Sequence, residues 1–128
     1  MALTTTFATN PVKTIIVNQT ASTSNSGVGD NNVSGGAAYL HTAEVNNSSF
    51  GTDVYVKLFD ASSAIAGTDT ATLVLFVKAN TTRTFQFFPG LQFENGVTLV
   101  TTTTTGQAGT TAPGTPPAVT MVLSETAS

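Results

Sequence analysis

Apolar and polar residues alternate along this chain in short runs. No window of ten or more residues carries the 3.6-residue period of an amphipathic helix. The run DVYVKLFD at 53–60 sets Val54, Val56 and Leu58 on one face of an extended chain and Tyr55, Lys57 and Phe59 on the other. ATLVLFVKA at 71–79 sets Leu73, Leu75 and Val77 against Val74, Phe76 and Lys78, so this strand is apolar on both faces for much of its length. In RTFQFF at 83–88, Phe85 and Phe87 alternate with Thr84 and Gln86. Phe88 must then point away from Phe87, and Pro89-Gly90 is predicted to end the strand. VKTIIV at 12–17, AAYLHTAEV at 37–45, VTLVTT at 97–102 and AVTMVLS at 118–124 complete the set.

About seven short strands separated by turn signals predict an all-β fold, an antiparallel β-sandwich or a jelly-roll-like barrel. The domain spans 12–128. Residues 1–11 read as an extended N-terminal arm, Thr-rich with isolated Leu3 and Phe7 and closed by the break signal Asn10-Pro11. Two connections are long. Residues 18–36 are rich in Asn, Ser and Gly, a composition of adaptive loops. After VTLV, the five threonines 101–105 can continue the strand. Pro113, Pro116 and Pro117 exclude a central strand from residues 106–117, because proline removes ladder donors.

Composition narrows the possible functions. With 128 residues the chain is long enough for one hydrophobic core and too short for two domains of common size. It has no Cys, which excludes disulfides and thiolate metal sites. Only 9% of residues are charged and the net charge is −3, with four Lys and Arg in all. Such a chain is poorly suited to nucleic acid, whose phosphates require a basic patch. Disorder does not follow, because 40% of the residues are hydrophobic. No apolar run approaches the ~18 residues of a membrane helix, and the N-terminus lacks the basic and apolar regions of a signal peptide. Neither a membrane partner nor a secretory route is expected, and the sequon at Asn80 is expected to be without consequence.

Candidate chemistry is sparse. From 96 to 123 there is no His, Lys, Arg, Asp or Glu. The single histidine, His41, needs a nucleophile or an orienting carboxylate nearby for catalysis, and Glu44, three residues on, falls on the opposite face of a regular strand. One His and no Cys make a poor metal site, and the seven acidic residues form no calcium-loop pattern. Sugar hydrolysis requires aromatic walls, and the chain has no Trp. Asp60 and Asp69 read as turn-capping residues. The Gly-rich GVGDNNVSGG lacks the phosphate-binding spacings. A non-enzymatic protein without metal or cofactor is expected. Strands apolar on both faces, in a chain too small for three layers, point to burial against another subunit. They nominate Phe59, Phe76 and Phe88 as subunit-interface residues, with closure into a barrel as the other outcome. Leu3, Phe7 and Val12 are the expected anchors by which the arm reaches a neighbour or a larger surface.

The stretch VYVKLFDASSAIAGTDTATLVLFV, followed by FPGLQFENGVTLVTTTTTGQAGTTA and the closing AVTMVL, resembles a module of tailed-phage virion proteins. In that module a strand ending in a KLFD-like motif precedes a GTDTP turn, an apolar strand, an FP…GL-x-F motif and a Thr/Ala-rich loop. Here GTDTA replaces the proline and TGQAGTTA lacks the acidic residues of that loop. The resemblance covers a little over half of the chain, and residues 1–52 carry none of it. It implies a β-sandwich displayed on a virion. In size it is most similar to a capsid decoration (cement) protein, including those of cyanophages. The partners implied are the major capsid protein and the chain itself as a homotrimer, on the outer surface of the head, where binding adds free energy to the assembled shell. A host-attachment or glycan-binding module, and a minor tail or fibre component, are the alternative readings.

Overall fold

The computed structural model describes residues 12–18, 32–65, 68–104, 111, 113–115 and 117–124, with the first of these segments as backbone. Seven strands form in chain order: β1 (Val12–Asn18), β2 (Ala38–Asn46), β3 (Val54–Asp60), β4 (Leu73–Val77), β5 (Thr82–Phe93), β6 (Val97–Thr102) and β7 (Ala118–Ser124). They make two antiparallel sheets, one of order β1-β7-β2-β5 and one of order β4-β3-β6. No helix occurs among the described residues. Each strand falls within two residues of its predicted position except β5, which runs through Pro89-Gly90 to Phe93 instead of ending there.

The alternation read from the sequence explains the core. Ala38, Leu40, Val119, Met121, Leu123 and Phe93 of the four-stranded sheet meet Val54, Val56, Leu58, Leu75, Val77, Val97 and Leu99 of the three-stranded sheet in one continuous buried cluster. Two sheets sharing one apolar interior form a β-sandwich. In β2 strict alternation would place Ala38 and Leu40 on one face and Ala43 and Val45 on the other. A bulge between Leu40 and Thr42, seen against both neighbouring strands, resets the phase. All four small and aliphatic residues then face inward, and Glu44 is exposed on the outer side.

The outer face of β3 is covered by its own chain. Ala61, Ala64 and Ala71 of the β3–β4 connection pack with Phe59 and Val100 in a second, smaller cluster. Asp69 Oδ2 accepts from Ile65 N at 2.8 Å and closes the turn of that connection, and Asp60 Oδ1 accepts from Asn95 N at 2.8 Å. Both aspartates therefore take the turn-capping role read from the sequence.

Residues 32–36 are tied to the start of β6. Val33 N donates to Val97 O, Val97 N to Ser34 Oγ, and Asn32 N to Thr98 Oγ1, whose hydroxyl in turn donates to Ala61 O at 2.7 Å. Gly96 closes this end with φ +121°, and a Cβ there would strike Asn32 Oδ1. At the other end Thr101 and Thr102 of the threonine run complete β6, and Thr103 and Thr104 leave it. The strand stops at Thr102, whose hydroxyl donates to Thr104 O, while Thr103 N donates to Thr111 O.

Candidate functional site

The irregularity in β2 and β5 produces the most distinctive surface feature. Leu40 pairs with Leu91 and Thr42 with Gln86, so residues 87–90 of β5 stand opposite His41 alone. The surplus backbone leaves the ladder as a bulge on an edge strand. Phe87 turns inward against the core, whereas Phe88 is 100% exposed. The Phe88–Pro89 peptide is cis, and Gly90 has φ +136°.

The bulge rests on the imidazole of His41. A Cβ on Gly90 would lie 3.1 Å from His41 Cε1 and 3.4 Å from Nδ1, crowding the ring, and the φ of +136° itself favours glycine. On its other side, His41 Nε2 shares a 2.6 Å hydrogen bond with Ser124 Oγ of β7. The chain Ser124, His41, Gly90 therefore links three adjacent strands of one sheet and holds the base from which Phe88 projects. A Ser–His pair also raises the question of nucleophilic catalysis. Ser124 is only 1% exposed, so its hydroxyl is closed to a substrate, and the pair acts as a brace. The bulge also overturns the sequence expectation for Glu44, which returns to the outer, His41-bearing side of the sheet.

A second apolar surface lies on the outer face of β4. Val74 and Phe76 are 43% and 38% exposed, and Phe76 packs against Tyr55 of β3 with ring centroids 5.3 Å apart. Arg83 of β5 reaches this edge. Its Nη1 donates to Phe76 O at 3.2 Å while its guanidinium lies 4.7 Å over the Phe85 ring. Arg83 thus ties the β4 edge of one sheet to the β5 edge of the other.

The three nominated interface residues separate here. Phe76 and Phe88 are exposed, but Phe59 is 2% exposed beneath the β3–β4 connection. Phe59 is therefore a core residue of its own chain and not a subunit contact. The inference from two-faced strands fails at β3 because a loop rich in alanine forms a partial third layer. Of the arm anchors, Leu3 and Phe7 lie outside the described residues. Val12 opens β1 with its backbone paired to Ser124. The loops at 19–31, 105–110 and part of 111–117 also lie outside; of the prolines there, Pro113 and Pro117 are described and buried.

Lys57 is buried at 1% exposure on the outer side of β3, between Tyr55 and Phe59, with Val74 and Val100 beside it on the neighbouring strands. Burial holds its pKa below the ordinary lysine value. Among the described residues no three His, Asp or Glu side chains converge as a metal-binding group, and no helix is long and apolar enough to cross a membrane.

Sequence reasoning missed Ser124 and Gly90 as partners of His41. One signal was readable. In AYLHTAEV the adjacent polar pair His41-Thr42 interrupts the alternation between Leu40 and Ala43, as a bulge requires when both flanks must face the core.

Comparison with known proteins finds no matching family model, no matching curated protein and no matching solved structure.

Proposed function

We propose that the protein is a structural virion component that binds the outside of a phage capsid as an oligomer, most simply a homotrimer, and stabilises the head. The observation that carries this reading is Phe88, a phenylalanine wholly exposed to solvent on a braced bulge. A large apolar side chain held out from a rigid base favours association with another surface. The rest of the reading rests on the sequence resemblance of residues 53–128 to virion modules. A decoration protein acts by contact, binding the assembled lattice and not its free subunits, and so shifts the assembly equilibrium.

The test is co-sedimentation with empty shells of the major capsid protein. Saturable binding, with a rise in the temperature at which the shells come apart, is the expected result. Shells that neither retain the protein nor gain heat resistance sink the reading. The Tyr55–Phe76 pair beside Arg83 favours one second reading, attachment to a glycan, since sugars stack on aromatic faces. Binding to a glycan array that is lost in a Phe76→Ser chain would favour it.

A further inference from the structure

We propose that Asn95-Gly96, the connection between β5 and β6, is a self-modifying site: the Gly96 amide nitrogen attacks the Asn95 side chain, and the chain ages there to aspartate and isoaspartate. The proposal stands apart from the coat reading and does not depend on it.

Asn95-Gly96 is the one Asn-Gly pair in the sequence, and it falls between the end of β5 at Phe93 and the start of β6 at Val97. Asn95 is exposed, and its side chain makes no hydrogen bond among the described residues. The Gly96 N–H is likewise without a partner among the described residues. The two reacting groups are therefore free, while the backbone on either side of them is held. Asn95 N donates to Asp60 Oδ1 at 2.8 Å, and Gly96 O accepts from Ala61 N at 3.0 Å. Ring closure joins groups that already belong to adjacent residues, and glycine has no Cβ to crowd the closing ring.

Other asparagines lack this freedom. After Asn32, Asn46 and Asn47 the next amide is engaged: Val33 N donates to Val97 O, Asn47 N to Thr81 O, and Ser48 N to Asn46 Oδ1. Asn47 is also 1% exposed, and its Nδ2 donates to Thr52 O and Lys78 O. Asn80 is followed by Thr81, whose branched Cβ crowds the attacking nitrogen.

The chemistry needs only water. Gly96 N loses its proton and bonds to Asn95 Cγ. The Cγ–Nδ2 bond breaks, and Nδ2 leaves with that proton as ammonia. Water then opens one of the two carbonyl–nitrogen bonds of the cyclic imide. Opening at Cγ gives aspartate, and opening at the main-chain carbonyl gives isoaspartate, whose backbone is one carbon longer. Either product takes the formal net charge from −3 to −4. Only isoaspartate displaces Gly96, and Gly96 has little space to move, since Asn32 Oδ1 lies against it. The bonds of Val33 and Ser34 to Val97 begin one residue further on. The isoaspartate form therefore loosens residues 32–36, and the aspartate form leaves them in place.

The full chain is aged in warm neutral buffer, and the reaction is followed by ammonia release, peptide mass mapping and labelling with an isoaspartate-specific methyltransferase. The expected result is isoaspartate at position 95 in several-fold excess over positions 32, 46, 47 and 80. An Asn95→Gln chain should keep the urea midpoint and lose most of the ammonia release. A folded chain that stays intact at Asn95 while the urea-unfolded chain reacts there would overturn the proposal, as would undiminished ammonia release from Asn95→Gln. The aged form is then separated by anion exchange and compared with an Asn95→Asp chain, which carries the same charge on a backbone of normal length. Hydrogen-exchange protection at the Val33 amide should fall several-fold in the isoaspartate form alone. Equal protection in the two would overturn the effect on residues 32–36.

Discussion

His41 on β2 and Ser124 on β7 share a 2.6 Å hydrogen bond between Nε2 and Oγ, 83 residues apart in sequence, and the glycine of the β5 bulge lies against the same imidazole. The pair sits where β2 gains its extra residue, so one side-chain bond holds the position at which the backbone ladder is interrupted. A double-mutant cycle measures its worth. Ser124→Ala and His41→Phe should each destabilise the fold, and a coupling of about 0.5–1.5 kcal/mol should appear in urea unfolding. Additive effects would mean that the hydroxyl and the ring contribute separately and that the bulge is held by backbone alone.

Phe59 and Phe88 look alike in the sequence, each an apolar residue on the outward side of a strand. They should respond oppositely to truncation. Phe59→Ala empties a site closed by Ala61, Ala64 and Ala71 and should cost about 3–5 kcal/mol. Phe88→Ala removes a fully exposed ring and should change folding stability by no more than about 0.5 kcal/mol. Chemical denaturation of dilute, monomeric protein makes the comparison, and equal losses would contradict the covering of Phe59 by its own loop.

Gly96 combines a positive φ with a side-chain neighbour that leaves no space for a Cβ. Gly96→Ala should therefore cost on the order of 1–3 kcal/mol and loosen residues 32–36, whose bonds to β6 begin next to it. Hydrogen exchange at Val33 and Val97, which are joined through Val33 N and Val97 O, reads the local effect. Unchanged protection at both amides would show that the latch does not depend on the glycine.

Lys57 makes stability depend on pH in a defined direction. Burial lowers its pKa in the folded state, so between that value and the unfolded lysine value, about 10.4, the unfolded chain binds more protons. Stability from this group therefore rises with pH through that window and levels off above it. Lys57→Met keeps the length of the stem and removes the titration. The difference in unfolding free energy, wild type minus variant, should climb with pH across the window, whereas a flat difference would show that folding leaves this amine unperturbed.

Much of this architecture is legible in the sequence. Strand positions come from period-2 alternation, because a strand with one buried face must repeat its apolar residues every second position. The core of β3 and β4, the turn-capping roles of Asp60 and Asp69 and the all-β class come from the same local rules. The continuation of β5 past Pro89-Gly90 does not, since proline and glycine ordinarily stop a strand. A bulge lets the chain pass them and rejoin β2 in register.

Only the tertiary structure decided how outward-facing residues are used. Phe59 and Phe88 have the same local pattern, and their fates depend on a loop that folds over one and a bulge that lifts the other. The partnership of His41, Ser124 and Gly90 joins three strands distant in the chain, and no local rule encodes such a distance. Alternation specifies which side of a strand a residue takes; the arrangement of the remaining chain specifies whether that side meets protein or water.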